Sequence, residues 1–242
     1  MHYLFFDESY PSQEKRTVVM AAWAVEQARL TRASGSFAEL FRPPVLKRIE
    51  SLFESLDAWA VISTATLEPD VLRFREIDGT SDVPEMSRTD NVWSQCAIFT
   101  VGAVLSCLFG VGQEVGTVDV HFDPKDLKPA HLNATETTLR QLLPKIAREC
   151  ASERHSTLFK KFKIRRFVPV PKTKHSDCGD KFQVGTWIAD KLCRSPNNDS
   201  QARRSRIMRL DTSGVVLRTI QQWDGIDFYA KREGNDGYVR PR

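Results

Sequence analysis

The chain has 242 residues, a formal net charge of +4 and a pI of about 8.8, a mild basic bias that permits a nucleic-acid partner without requiring one. A hydrophobic share of 41% against 27% charged is globular composition, which excludes a disordered or fibrous chain and can build a core without staples. The five cysteines, at 96, 107, 150, 178 and 193, form no CxxC pair, which argues against a zinc ribbon or a dithiol redox motif and predicts reduced thiols in the cytoplasm.

The first segment, His2 to Phe6, is apolar and aromatic and predicts a strand running into Asp7, Glu8 and Ser9. Those acids directly behind the apolar run argue against a secretory signal. After a polar turn at Pro11–Lys15, the β-branched and apolar run Arg16–Val25 predicts a second strand hairpinned to the first. A polar stretch follows, up to Ser36. Pro43-Pro44 then opens a helix, where the missing N–H of proline costs little, and Val45, Ile49, Leu52, Phe53 and Leu56 supply its apolar face. Ala58–Thr66 predicts a third strand. Residues 68–90 hold two prolines, one glycine and many charges, the pattern of an exposed connection with one short helix around Val71–Arg75.

A long helix runs from Thr89 or Asp90 to Phe109 and stops at Gly110. Its core, Cys96–Phe109, is fourteen residues long, short of the roughly 20 a membrane span needs, so a buried core helix with no membrane partner is expected. Thr117–Asp123 predicts a fourth strand with strict alternation: Val118, Val120 and Phe122 on one face, Asp119, His121 and Asp123 on the other. Pro124 ends it. Helices are expected over Asn133–Ser152, kinked at Pro144, and over Asp180–Arg194, with a fifth strand, Lys160–Val170, between them. The order β-β-α-β-α-β-α-β-α predicts a mixed α/β sheet of five strands with helices on both faces. Residues 1–195 form the domain. Residues 196–242 form a C-terminal extension packing on it, with a short strand or helix within Ile207–Trp223 and a frayed tail.

Asp7 and Asp123 both end strands, and ligands of open α/β sheets gather at the carboxyl ends of strands. If the strands are neighbours, the carboxylates repel unless a cation lies between them, and oxygen-rich pairs of this kind suit Mg²⁺ or Mn²⁺. The plainer reading of each aspartate is a turn former or a helix cap. Lys161, Lys163 and Arg165 share one face of the fifth strand, and Lys172 and Lys174 continue the charge into the next loop. They read either as guards of an edge strand or as a strip that tracks a nucleic-acid backbone. His121 is open to readings as a ligand or general base and as a packed residue. His175-Ser176-Asp177 lacks a nucleophile elbow, so a hydrolase triad is rejected.

The opening Tyr3-Leu4-Phe5-Phe6-Asp7-Glu8-Ser9, the strand ending at Asp123, and the helix Phe182-Gln183-Val184-Gly185-Thr186-Trp187-Ile188-Ala189-Asp190 together resemble a microbial family of domains of unknown function with an RNase H-like fold. Its members open on Asp-Glu-Ser, usually followed by Gly, and end on a helix reading Gln-x-Ala-Asp-x-x-x-Gly. The match runs over residues 1 to 195. The resemblance implies adjacent, parallel first and fourth strands and divalent-metal carboxylates at Asp7 and Asp123. It implies a further acid after strand two, for which Glu39 is the candidate. Tyr10 stands where glycine is usual. Thr186 falls where the family helix carries its Asp, and a hydroxyl cannot supply a carboxylate's charge. Asp190, one turn on and about 6 Å along the axis, is the available substitute. Two functions follow: a divalent-metal-dependent nuclease or phosphodiesterase, intact or degenerate, and a non-catalytic RNase H-like module that binds nucleic acid or a protein.

Overall fold

A computed structural model describes residues 1–9, 17–66, 88–123, 132–133, 135–137, 139–141, 162–171, 180–195 and 206–213. Its framework is a six-stranded sheet of β1 (His2–Ser9), β2 (Thr17–Glu26), β3 (Trp59–Thr66), β4 (Thr117–Phe122), β5 (Lys163–Pro169) and β6 (Ile207–Asp211), in the order β5-β4-β1-β2-β3-β6. β1 to β3 form an antiparallel meander, β4 lies parallel to β1, and β5 lies parallel to β4. This is the mixed RNase H-like arrangement, extended by β6, which pairs parallel with β3. The C-terminal extension, expected to pack on the domain with a short strand or helix within Ile207–Trp223, supplies this strand at the side of β3.

β1 is a central strand and is buried from His2 to Glu8. Its alternation divides the core in two. Leu4 and Phe6 point to one face with Val118, Val120 and Phe122 of β4. That face is covered by the helix α3 (Arg88–Gly110), whose Trp93, Ala97, Val101, Val104 and Leu108 recur at helical spacing and are buried. Its segment Trp93–Gly110 is long and apolar enough to cross a membrane, yet here it covers the sheet.

Tyr3 and Phe5 point to the opposite face, covered by α1 (Gln27–Ala33), a 3₁₀ turn (Ser34–Phe41), α2 (Val45–Leu56) and α4 (Lys181–Cys193). The polar stretch read as connection up to Ser36 thus contains helix. α1 has only seven residues and buries one of them, Leu30, so no apolar period marks it. α2 buries Ile49, Leu52, Phe53 and Leu56, as its spacing predicts. It ends at Asp57, in the left-handed region at φ 51°, whose carboxylate pairs with Arg29 and Arg206. The side chain of Asp57 thereby ties α1 to the start of β6.

α4 lies unusually close to the sheet. A β-carbon added at Gly185 would come within 2.2 Å of the Phe5 ring, so no larger residue fits unless that ring moves. The Trp23 indole N–H donates to the Gly185 carbonyl at 2.9 Å. The helix expected over Asn133–Ser152 is described only at residues between 132 and 141, all helical; Pro144 and the short helix around Val71–Arg75 lie outside the described residues.

Candidate functional site

β1 and β4 run side by side in register from His2 opposite Val118 to Phe6 opposite Phe122. Asp7 follows inside β1, which runs on to Ser9 rather than ending at Phe6 as expected, and Asp123 is the first residue past β4. Alternation puts Asp7 on the face of Tyr3 and Phe5, the face α4 covers together with His121 of β4. Asp7 is buried and its Oδ1 accepts the Glu8 N–H at 2.8 Å. Asp123 lies just past the strand and is partly exposed.

Helix α4 runs alongside β1 toward this end of the sheet. Phe182 in its first turn packs on Tyr3 and His121, Gly185 sits over Phe5, and Cys193 in its last turn reaches Asp7. At 100° per residue, Thr186 and Asp190 fall on the flank that also carries Phe182 and Cys193. Asp180 caps the helix by accepting the Phe182 N–H at 3.2 Å. Thr186 is fully buried, and its hydroxyl donates to the carbonyls of Gln183 (3.0 Å) and Phe182 (3.3 Å) within its own helix. Asp190 is buried and ion-paired, with Arg194 at 2.9 Å and Lys191 at 3.5 Å.

Glu39 sits on the 3₁₀ turn, half exposed, and pairs with Arg42 (3.0 Å) and Arg48 (3.7 Å). Among the described residues, no group of three or more His, Cys, Asp or Glu side chains is arranged to hold a metal ion.

The basic strand is rearranged by a bulge. The β4–β5 register steps from Val118 opposite Ile164 to Asp119 opposite Arg166, leaving Arg165 as the extra residue. Arg165 grips the buried Asp119 with both ends of its guanidinium, Nε to Oδ1 at 2.8 Å and Nη2 to Oδ2, and this hydrogen bonding raises its pKa further. Its charge is therefore matched inside the chain. Lys163 is exposed. Lys161, Lys172 and Lys174 lie outside the described residues.

His121 is buried among the rings of Phe182 (4.6 Å), Phe5 (5.3 Å) and Tyr3 (5.6 Å). Neither ring nitrogen has a hydrogen-bond partner among the described residues. Burial lowers its pKa to about 4, against the opposing pull of Asp119 and Asp180, so near neutrality it is an uncharged packing residue.

Three contacts escaped the sequence reading. Asp119 is the partner of Arg165. Glu8, one residue from Asp7, points to the other face and accepts the Trp93 indole N–H at 2.8 Å. Cys193 lies against the backbone of Asp7. Only the first left a trace, because Ile164 and Phe167, three apart on a strand yet both apolar, signal a bulge.

Among solved structures, the chain is similar to a chain of the PCNA:RNase HII complex from Archaeoglobus fulgidus, with 12% identity, 99% of this chain and 81% of that one covered, and a TM-score of 0.30. It is also similar to ribonuclease H2 from Pyrococcus horikoshii OT3, with 10% identity, 99% and 92% coverage, and a TM-score of 0.35. No protein-family model and no curated protein matches the chain.

Proposed function

We propose that this chain is a divalent-metal-dependent phosphodiesterase of the RNase H type, acting on nucleic acid through a reduced carboxylate centre. The observation that supports the reading is the parallel register of β1 with β4, whose last pair, Phe6 opposite Phe122, stands one residue before Asp7 and Asp123. Asp7 and Asp123 would hold Mg²⁺ or Mn²⁺, and a bound ion of this kind supplies an activated water and a stabilised leaving oxygen. Asp190 is the third carboxylate that the described helix offers, once Arg194 and Lys191 release it. Glu39 would need to break two ion pairs to contribute. Lys163, flanked in sequence by Lys161 and followed by Lys172 and Lys174, would track a phosphate backbone, whereas Arg165 serves Asp119 instead.

A second reading is a non-catalytic RNase H-like module that binds nucleic acid or a protein partner. It is favoured by Thr186, whose hydroxyl is directed to its own helix where a carboxylate would complete the centre.

One experiment separates the two. Thermal unfolding of wild type and Asp7→Asn is followed with and without Mn²⁺, and cleavage of single-stranded DNA, duplex DNA, RNA and RNA–DNA hybrids is assayed in parallel. The first reading requires Mn²⁺ to raise the melting temperature of wild type but not of Asp7→Asn, with cleavage lost in the variant. Nucleic-acid binding unchanged by Asp7→Asn, with no metal-dependent stabilisation, would establish the second.

A further inference from the structure

The bulge in β5 sorts the basic residues of that strand into two kinds. Before it, Ile164 is buried in the core beneath α3, so Lys163 turns to the other face of the sheet. After it, Arg166 stands opposite Asp119, and residues opposite each other in a ladder share a face. Arg165 is the extra residue and reaches that same Asp119. Lys163, Arg165 and Arg166 therefore all stand on the α4 side of the sheet, and all are exposed. Arg166 is near enough for its charge to act on Tyr3 and His121, which face α4 as well.

The carboxylates beside these cations are already engaged. Asp119 is buried, and both its oxygens are taken by the Arg165 guanidinium. Asp180, at the start of α4, caps its own helix through Oδ1. Lys163 and Arg166 make no ion pair and no side-chain hydrogen bond among the described residues. Protection of a sheet edge accounts for the bulge and for Arg140, whose guanidinium donates to the Ile164 and Arg165 carbonyls. It does not call for a lysine and two arginines on a single face, with the buried carboxylate among them neutralised.

We infer that Lys163 and Arg166 are paired contacts to the phosphate backbone of a nucleic-acid strand, and that Arg165 keeps Asp119 from opposing them. Lys163 and Arg166 stand opposite Thr117 and Asp119, two ladder steps and so about 6.6 Å apart along the strand. At that spacing two long cationic side chains reach neighbouring phosphates. A strand held this way follows β5 toward its carboxyl end, where Pro169 lies opposite Phe122, one residue before Asp123. Such contacts position a backbone and carry no base sequence. The inference rests on the nucleic-acid part of the reading above and needs no bound metal.

Its test is fluorescence anisotropy in chelator with labelled DNA and RNA oligonucleotides, single-stranded and duplex, over a series of salt concentrations. The proteins are wild type, Lys163→Gln, Arg166→Gln, Arg166→Lys, Arg165→Gln and Arg209→Gln, with the melting temperature of each recorded alongside. Arg209 is exposed on β6, at the opposite side of the sheet, so its loss removes the same charge elsewhere. Each phosphate contact contributes about 0.7 to the slope of log affinity against log salt on single strands and about 0.9 on duplexes. Lys163→Gln and Arg166→Gln are each expected to weaken binding at low salt and to make the slope shallower by about that amount, at the melting temperature of wild type. Arg166→Lys and Arg209→Gln are expected to keep the wild-type slope. Arg165→Gln is expected to melt lower, because it leaves the buried Asp119 without its cation.

An Arg166→Gln slope equal to that of wild type overturns the inference. So does an equal change in Arg166→Gln and Arg209→Gln, which marks net charge alone, and so does a slope lost in Arg166→Lys as it is in Arg166→Gln. In each of these outcomes wild type still binds the oligonucleotides, and the nucleic-acid reading stands. Wild type that binds none of them removes that reading and the inference together.

Discussion

On the proposed reading, Thr186 stands where α4 would carry a carboxylate toward Asp7 and Asp123. Its side chain is fully buried and its hydroxyl is satisfied by two carbonyls of its own helix. The fold tolerates it because threonine can return its proton to the preceding turn, an option closed to a carboxylate. An aspartate at this position would be a buried anion without a partner, a costly arrangement unless a cation or a proton neutralises it. Thr186→Asp should therefore unfold at lower temperature than wild type in chelator and show a larger Mn²⁺-dependent gain. A differential thermal-unfolding series with EDTA and Mn²⁺ reads both effects. A loss in chelator that Mn²⁺ does not reverse would mean position 186 lies out of reach of the ion. At this scale the sequence was informative about the run of β4 up to Asp123, but it ended β1 at Phe6, two residues short of Glu8 and three short of Ser9. It was silent on what each side chain would be bound to. The pairing of Asp119 with Arg165 depends on a bulge, and Asp190's ion pairs depend on helical neighbours whose competition with a metal cannot be seen in a motif.

The elements that carry the site are β1, β4 and α4, and all three were legible because each has a strong period: apolar alternation in β4, a continuous buried run in β1, and a capped helix at Asp180. α1 and the 3₁₀ turn were not legible, since they are short and α1 buries only Leu30. Where α4 meets β4, His121 gives the packing a pH signature. It is enclosed by Tyr3, Phe5 and Phe182, with Asp119, Asp180 and Arg166 as the charged neighbours and Lys181 over the Tyr3 and Phe182 rings. Burial lowers its pKa to about 4 from an ordinary 6.5, and burial lowers that of His2 as well. The unfolded chain then takes up these protons near pH 6.5 while the native chain does not, so native stability is full above about pH 6.5 and falls as pH drops toward 4. For His121 the loss over that interval is about 3 kcal/mol, levelling off below it. Urea unfolding between pH 7.5 and 4.5 measures the slope. His121→Phe, which keeps a ring in the cage, should flatten it, and an unchanged slope would show that other groups carry the acid sensitivity.

Across the whole molecule, the sheet must manage two edges. β5 closes one with exposed basic residues and with Arg140, whose guanidinium donates to the Ile164 and Arg165 carbonyls beside the bulge. That use of charge and a bulge discourages edge-to-edge pairing. Among the described residues β6 forms the other edge, and it was only weakly legible because its five residues, of which Ile207, Met208 and Leu210 are apolar, set no clear alternation. Its pairing is fixed at both ends: the Ala60 N–H donates to the Arg206 carbonyl at 2.9 Å and the Thr212 N–H to the Thr64 carbonyl at 2.8 Å. In a parallel ladder every second residue turns its backbone groups to the same neighbour, so Met208 and Leu210 also face β3, while the backbone of Arg209 faces away from it. Proline discriminates between these positions, because it removes one N–H and is tolerated only where that N–H points away from the sheet. Met208→Pro should cost about 1–3 kcal/mol more than Arg209→Pro in urea unfolding, the penalty of a carbonyl of β3 left without its donor. The Met208 side chain is 41% exposed, so its own loss adds little, and the Arg209 side chain contributes an exposed contact with Ser195. If β6 were merely draped on the domain, the two prolines would cost the same. A difference of the predicted sign makes the sixth strand a working part of the sheet, covering an edge of β3 that would otherwise be free to pair with another chain.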